Sequence, residues 1–107
     1  ASLRGAGARV TAGAVPVLPA ALPLARQWKM PGGSVANMEH IQPHVTVDGT
    51  VDEGLVNVLY DAQTSGGLLL AVAPAHADPL LRELLPAHPW SRRVGEIVPG
   101  GGIVIRP

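Results

Sequence analysis

The sequence predicts an α+β domain, a mixed β-sheet with helices layered on it. Three observations carry that reading. Short apolar runs alternate with segments of helical periodicity, the order expected of a layered domain. The 107 residues suit one domain, whereas a (β/α)8 barrel needs about 200 or more. Leu, Ile and Val number 30 with zero net charge, so the chain has apolar material for a core and lacks the signature of disorder.

The elements follow in order. Residues 8–12 read as a strand, and Pro16 and Pro19 keep Val15–Leu18 out of any central ladder. A helix spans Ala20 to Trp28; Pro23 fits only if it falls in the first turn, where amides lack intrahelical partners. Met30 to Gly33 form a turn, after which Ser34 caps a short helix to Ile41, bounded by Pro43. His44 to Val47 is a brief strand. Asp48–Gly49 fits a two-residue hairpin. The capping-box spacing of Thr50 and Glu53, with Val51, Leu55, Val58 and Leu59 on one face, favours a helix over 51–60, weakened by Gly54. Asp61 to Gly67 is a loop. Leu68 to Ala73 is an unbroken apolar run and reads as a strand buried on both faces. Ala75 to Leu85 is the clearest helix, with Leu80, Leu81, Leu84 and Leu85 on one face and Asp78–Pro79 at or near its first turn. Arg93–Val98 and Ile103–Ile105 are strands joined by a hairpin-like turn at Pro99–Gly102.

Composition excludes several functions. Eight basic residues balance eight acidic ones, so no global field attracts nucleic acid or an anionic membrane. Three aromatics, Trp28, Tyr60 and Trp90, make no base-stacking platform. The absence of cysteine removes disulfides, thiolate catalysis and cysteine-held metals, and permits a cytoplasmic location. No apolar run reaches membrane-helix length, and the first residues lack the apolar core of a signal peptide.

Motif chemistry leaves no complete catalytic site and no metal site. Ser65 has glycines only after it and a strand following, where a nucleophile elbow needs glycine on both sides and a helix following. His40 and His44 are four apart, but Glu39 precedes the first histidine and Pro43 breaks the helix between them. Gly66–Gly67 and Gly100–Gly102 fit neither the P-loop nor the dinucleotide fingerprint. Lys29 beside Gly32–Gly33 reads as a cation at a helix C-terminus. Asp61, at the end of an apolar helix, either bonds backbone amides in its loop or belongs to a site.

The segment Asp61-Ala62-Gln63-Thr64-Ser65-Gly66-Gly67-Leu68-Leu69 resembles the Asp-Pro-Gln-Thr-Ser-Gly-Gly-Leu-Leu signature of the selenophosphate synthetase (selenide, water dikinase) family. Pro31-Gly32-Gly33-Ser34 with Asn37, Val94-Gly95-Glu96-Ile97-Val98 and Val15-Pro16-Val17-Leu18 resemble further family segments in the same order. Ala62 departs from the family's proline, which frees a backbone dihedral and restores a donor. The resemblance implies the C-terminal domain of such an enzyme, with the fold of the C-terminal domain of aminoimidazole ribonucleotide synthase. It implies an enzyme that makes selenophosphate, AMP and phosphate from selenide and ATP with magnesium. It also implies an N-terminal ATP-binding domain as partner, a homodimer, and the catalytic groups in that absent part. Residues 1–107 would then be a single domain of a longer enzyme, needing no cofactor and inactive alone. Asp61, Gln63, Thr64, Ser65, Gly66 and Gly67 become candidates for lining the cleft between domains or for shaping the fold. Two alternatives remain: a relative from hydrogenase maturation or purine synthesis, against which the Thr-Ser-Gly-Gly loop argues, and a stand-alone binding module.

Overall fold

A computed structural model describes residues 5–63 and 66–107. The chain is α+β. Its strands are β1 (Ala6–Thr11), β2 (Val45–Val47), β3 (Gly95–Pro99) and β4 (Ile103–Arg106). Its helices are α1 (Ala21–Arg26), α2 (Gly32–Ile41), α3 (Glu53–Leu59) and α4 (Pro74–Leu84). The sheet has the order β2-β4-β1-β3, with β1 antiparallel to β3 and β4 parallel to both β1 and β2.

Register sorts the side chains. Val10 stands opposite Ile105, and Ile105 in turn stands opposite Val47, so these apolar residues share one face with Ala8, Ile103 and Val45. Ile105 is buried at its centre. The opposite face carries Arg9, Thr11, Glu96 and Arg106.

The turn at Gly100–Gly102 is not a hairpin, because β1 lies between β3 and β4. Four Cα steps from Pro99 to Ile103 reach at most about 14 Å, enough to cross two strand spacings of about 4.8 Å each. The crossing wraps closely around the start of β1. Ala8 N donates to the Gly102 carbonyl at 3.0 Å, and a Cβ at Gly7 would sit 2.7 Å from that oxygen. Gly100 and Gly102 have φ of +102° and +80°, values that L-residues with side chains seldom adopt.

The α1–α3 pair forms the second packed unit. Pro23 falls in the first turn of α1, as its missing amide requires. The C-terminus of α1 is a Schellman motif: Trp28 N donates to Ala25 O at 3.0 Å and Lys29 N to Leu24 O at 3.0 Å. Trp28 occupies the left-handed position at φ +57°, where glycine is usual. Asn57 on α3 is buried and donates to the Ala25 carbonyl at 3.2 Å, tying the helices together. Gly54 has a spatial reason: a Cβ there would collide with Arg26 Cγ and lie 3.0 Å from Arg26 N.

Several expected details change. Asp52, not Thr50, caps α3, accepting from Gly54 N at 2.8 Å and Leu55 N at 3.3 Å. Thr50 instead closes a turn onto Asp48, donating to Oδ1 through its amide at 3.0 Å and its hydroxyl at 2.9 Å. Asp at the residue next to the helix outcompetes a threonine two positions earlier because its carboxylate already faces the free amides. α2 begins at Gly32 within the expected turn, so Pro31 takes the N-cap position and Ser34 lies inside the helix. α4 begins at Pro74, which places Pro79 in its interior rather than its first turn. Residues 68–73 form no strand. They are exposed, Leu68 at 89% and Leu69 at 86%, and among the described residues 67–72 make no backbone hydrogen bond. An apolar run becomes a buried strand only when neighbours pair its backbone and cover its faces, and the four observed strands pair without it.

Candidate functional site

Two sequence segments 27 residues apart meet at the start of α2 and the end of α3. Helical spacing turns Ser34 inward, where it is 1% exposed. Its hydroxyl donates to Asp61 Oδ1 at 2.5 Å, a short hydrogen bond of the kind a carboxylate acceptor gives. Three residues on, Asn37 Nδ2 donates to the Tyr60 carbonyl at 3.1 Å. These two bonds run from one face of α2 to consecutive residues beyond α3. Gly33 faces Ala62 across this contact, and a Cβ at Gly33 would stand at an ordinary contact distance of 3.8 Å from Ala62 Cβ.

The chain leaves α3 through Tyr60 N to Asn57 O at 3.2 Å and Asp61 N to Val58 O at 3.0 Å. Gln63 N then donates to Asp61 O at 3.1 Å, and Gly66 N to Gln63 O at 3.2 Å, so the loop folds back on itself. Gly66 lies against Gln63, where a Cβ would fall 2.8 Å from Gln63 Cβ. Burial pushes the Tyr60 phenol above its usual pKa.

Asp61, Gln63, Gly66 and Gly67 are exposed, and Thr64 and Ser65 lie outside the described residues. The amides of Thr64 and Ser65 thus lie outside the described residues, and Asp61 bonds a side chain from α2. Its second oxygen has no hydrogen-bond partner among the described residues. Chemically, this is an exposed carboxylate with one oxygen fixed by a buried hydroxyl.

Sequence reasoning treated Ser34 as a helix cap and Asp61 as a loop residue, and so missed their bond. The resemblance pointed to both segments, although nothing in their spacing pairs them. Asn57 was also missed: with Gly54 it is the buried side of α3, away from the face of Val51, Leu55, Val58 and Leu59, so apolar periodicity does not mark it. His40 and His44 are exposed at the end of α2 and in the turn after it. Among the described residues, no three His, Asp or Glu side chains converge as a metal site.

No family model matches the chain. Curated relatives do. A selenide, water dikinase of Nitratidesulfovibrio vulgaris is 45% identical over 95 residues, covering 82% of this chain and 26% of the relative. That of Clostridioides difficile is 33% identical over 88 residues, covering 81% and 25%. That of Pelobacter propionicus is 40% identical over 80 residues, covering 75% and 23%. The chain thus spans about a quarter of the length of these relatives. Over four-fifths of its own residues, the chain belongs with the selenide, water dikinases as a partial-length relative.

Proposed function

We propose that this chain acts as the C-terminal domain of a selenophosphate synthetase, and that the loop beginning at Asp61 lines its inter-domain cleft. The observation that supports the loop's role is the bond from Ser34 to Asp61, which joins both segments that resemble the family. A buried hydroxyl fixes one carboxylate oxygen of Asp61, which is exposed at the head of a loop rich in glycine. Clefts between domains are where such groups commonly meet ligands.

In this reading the complete enzyme works in the cytoplasm as a homodimer. An N-terminal domain of the same polypeptide binds ATP and magnesium, and the products from selenide and ATP are selenophosphate, AMP and phosphate. Charge in phosphoryl transfer is neutralised by positioned metals and cations. The described residues of this chain do not fit magnesium, since no three acidic or histidine side chains converge as a metal site. No reaction step is assigned to them. Their part is to hold Asp61 and shape the wall.

The test is selenide-dependent AMP formation. The complete polypeptide is expected to be active and the 107-residue chain alone inactive. In the complete polypeptide, Ser34→Ala is expected to lower kcat/KM by about tenfold, the worth of one hydrogen bond to a charged group. Ser34→Thr, which keeps the hydroxyl, is expected to restore it. Activity of the isolated chain would overturn the domain reading. Full activity of Ser34→Ala and Asp61→Asn together would remove the loop from the cleft.

A further inference from the structure

The polar face of the sheet holds a second constellation, unrelated to Asp61. At one end, a cleft of about 190 Å³ is lined by Thr11, Ala14, Arg93, Gly95, Glu96 and Arg106. The register builds it. Thr11 stands opposite Arg106 across β1 and β4, and Arg9 stands opposite Glu96 across β1 and β3. Residues two apart on a strand share a face, so all four project together. Arg93 joins them from the residues that lead into β3.

The charge balance is local and positive. Arg9 donates to Glu96 at 2.8 Å, and Arg106 lies 3.7 Å from the same carboxylate oxygen. One carboxylate thus faces two guanidinium groups, and Arg93 lines the same cleft, in a chain whose net charge is zero. Glu96 is satisfied by Arg9, and Arg106 stays beyond hydrogen-bond reach of it. Arg93 has no ion-pair partner among the described residues. Its neighbour Arg92 turns elsewhere, with its guanidinium 6.0 Å from the centre of the Trp90 ring. The Thr11 hydroxyl makes no hydrogen bond among the described residues and adds a neutral donor.

We infer that this cleft binds an oxyanion the size of inorganic phosphate, held by Arg93 and Arg106 with Thr11 beside them. Forked guanidinium donors match the oxygens of such an anion. The charge of Glu96 is offset by its pair with Arg9, so the two remaining guanidinium groups leave the cleft net positive. The volume matches a small ligand: sites for drug-sized molecules run to about 300–1,000 Å³, so this cleft of about 190 Å³ suits a single phosphate group. The group is either a free ion or the phosphate end of a larger molecule whose remainder stays outside.

The test is a titration of the isotope-labelled 107-residue chain with inorganic phosphate, read by amide chemical shifts at constant ionic strength. Saturable shifts are expected at Thr11, Val94, Gly95, Glu96 and Arg106, with a millimolar Kd. Arg93→Gln, outside the strands, is expected to weaken the Kd at least tenfold, and Arg106→Gln likewise. Arg82→Gln on α4, an equal loss of charge, is expected to leave the Kd unchanged. AMP tested alongside separates the two sources. Shifts at the same residues assign the site to a phosphate end, and silence assigns it to the free ion. No saturable shift with phosphate, or a Kd that rises equally in all three variants, overturns the inference.

Discussion

Gly54 shows how a single residue can oppose its own propensity. Glycine costs a helix interior about 1 kcal/mol relative to alanine, so Gly54→Ala in an isolated helix would stabilise. Here the added methyl meets Arg26 at the α1–α3 contact. We expect Gly54→Ala to lower unfolding stability by about 1–3 kcal/mol, the range for overpacking, as measured by urea denaturation. A rise in stability would show that α1 moves away freely. Asp52 acts at the same contact in two ways. It caps α3, and it accepts from Arg26 Nε at 3.0 Å and Nη2 at 2.7 Å. Arg26 and the helix amides hold its carboxyl below the ordinary value of 3.8, so the folded state binds its proton less readily than the unfolded chain. Its contribution is therefore full above pH 3.8 and lost as pH falls through the lower folded value. Asparagine caps as well as aspartate but carries no charge. Asp52→Asn should therefore be less stable than the parent at pH 7. That difference should shrink in acid, as followed by circular dichroism.

At the scale of elements, α4 and the run before it stand apart from the rest. α4 has no fully buried residue, and its leucines Leu80, Leu81 and Leu84 are half-buried. Pro79 removes a helical donor and crowds the carbonyl four residues earlier, at a usual cost of about 3 kcal/mol. Pro79→Ala should raise stability by about 2 kcal/mol once the greater freedom of the unfolded chain is allowed for. The thermal midpoint checks it, and a fall would mean that the proline ring packs usefully. The α1, α3 and α4 helices were legible because their periodicity and proline positions act within a few residues. The capping of α3 was not, since Asp52 and Thr50 both have the right chemistry and only the backbone path chooses. The strand expected over residues 68–73 failed for a different reason. Its apolar composition reports a demand for burial, and the demand is met only where partners exist.

At the scale of the whole molecule, that unmet demand predicts behaviour. Leu68, Leu69 and Leu70 form a contiguous exposed apolar stretch, with no formal charge between Asp61 and Asp78. Backbone without partners that carries exposed apolar side chains is prone to pair with another chain. The 107-residue chain should therefore self-associate as its concentration rises. Replacing the three leucines with serine should abolish that association in sedimentation velocity without changing the helical signal. Strict monomer behaviour of the parent would show that the stretch is covered within the chain.

The sequence by itself determined the α+β class, most elements and the kinship with selenide, water dikinases, because these rest on local periodicity, turn chemistry and motif identity. The tertiary structure alone decided which strands are neighbours, placing β1 between β3 and β4 although those two are joined by a short turn. It also decided that Ser34 reaches Asp61 and that Arg9, Arg93, Arg106 and Glu96 gather at one end of the sheet. Contacts between residues far apart in sequence depend on how packed elements are oriented and registered, and no local pattern in the chain encodes that.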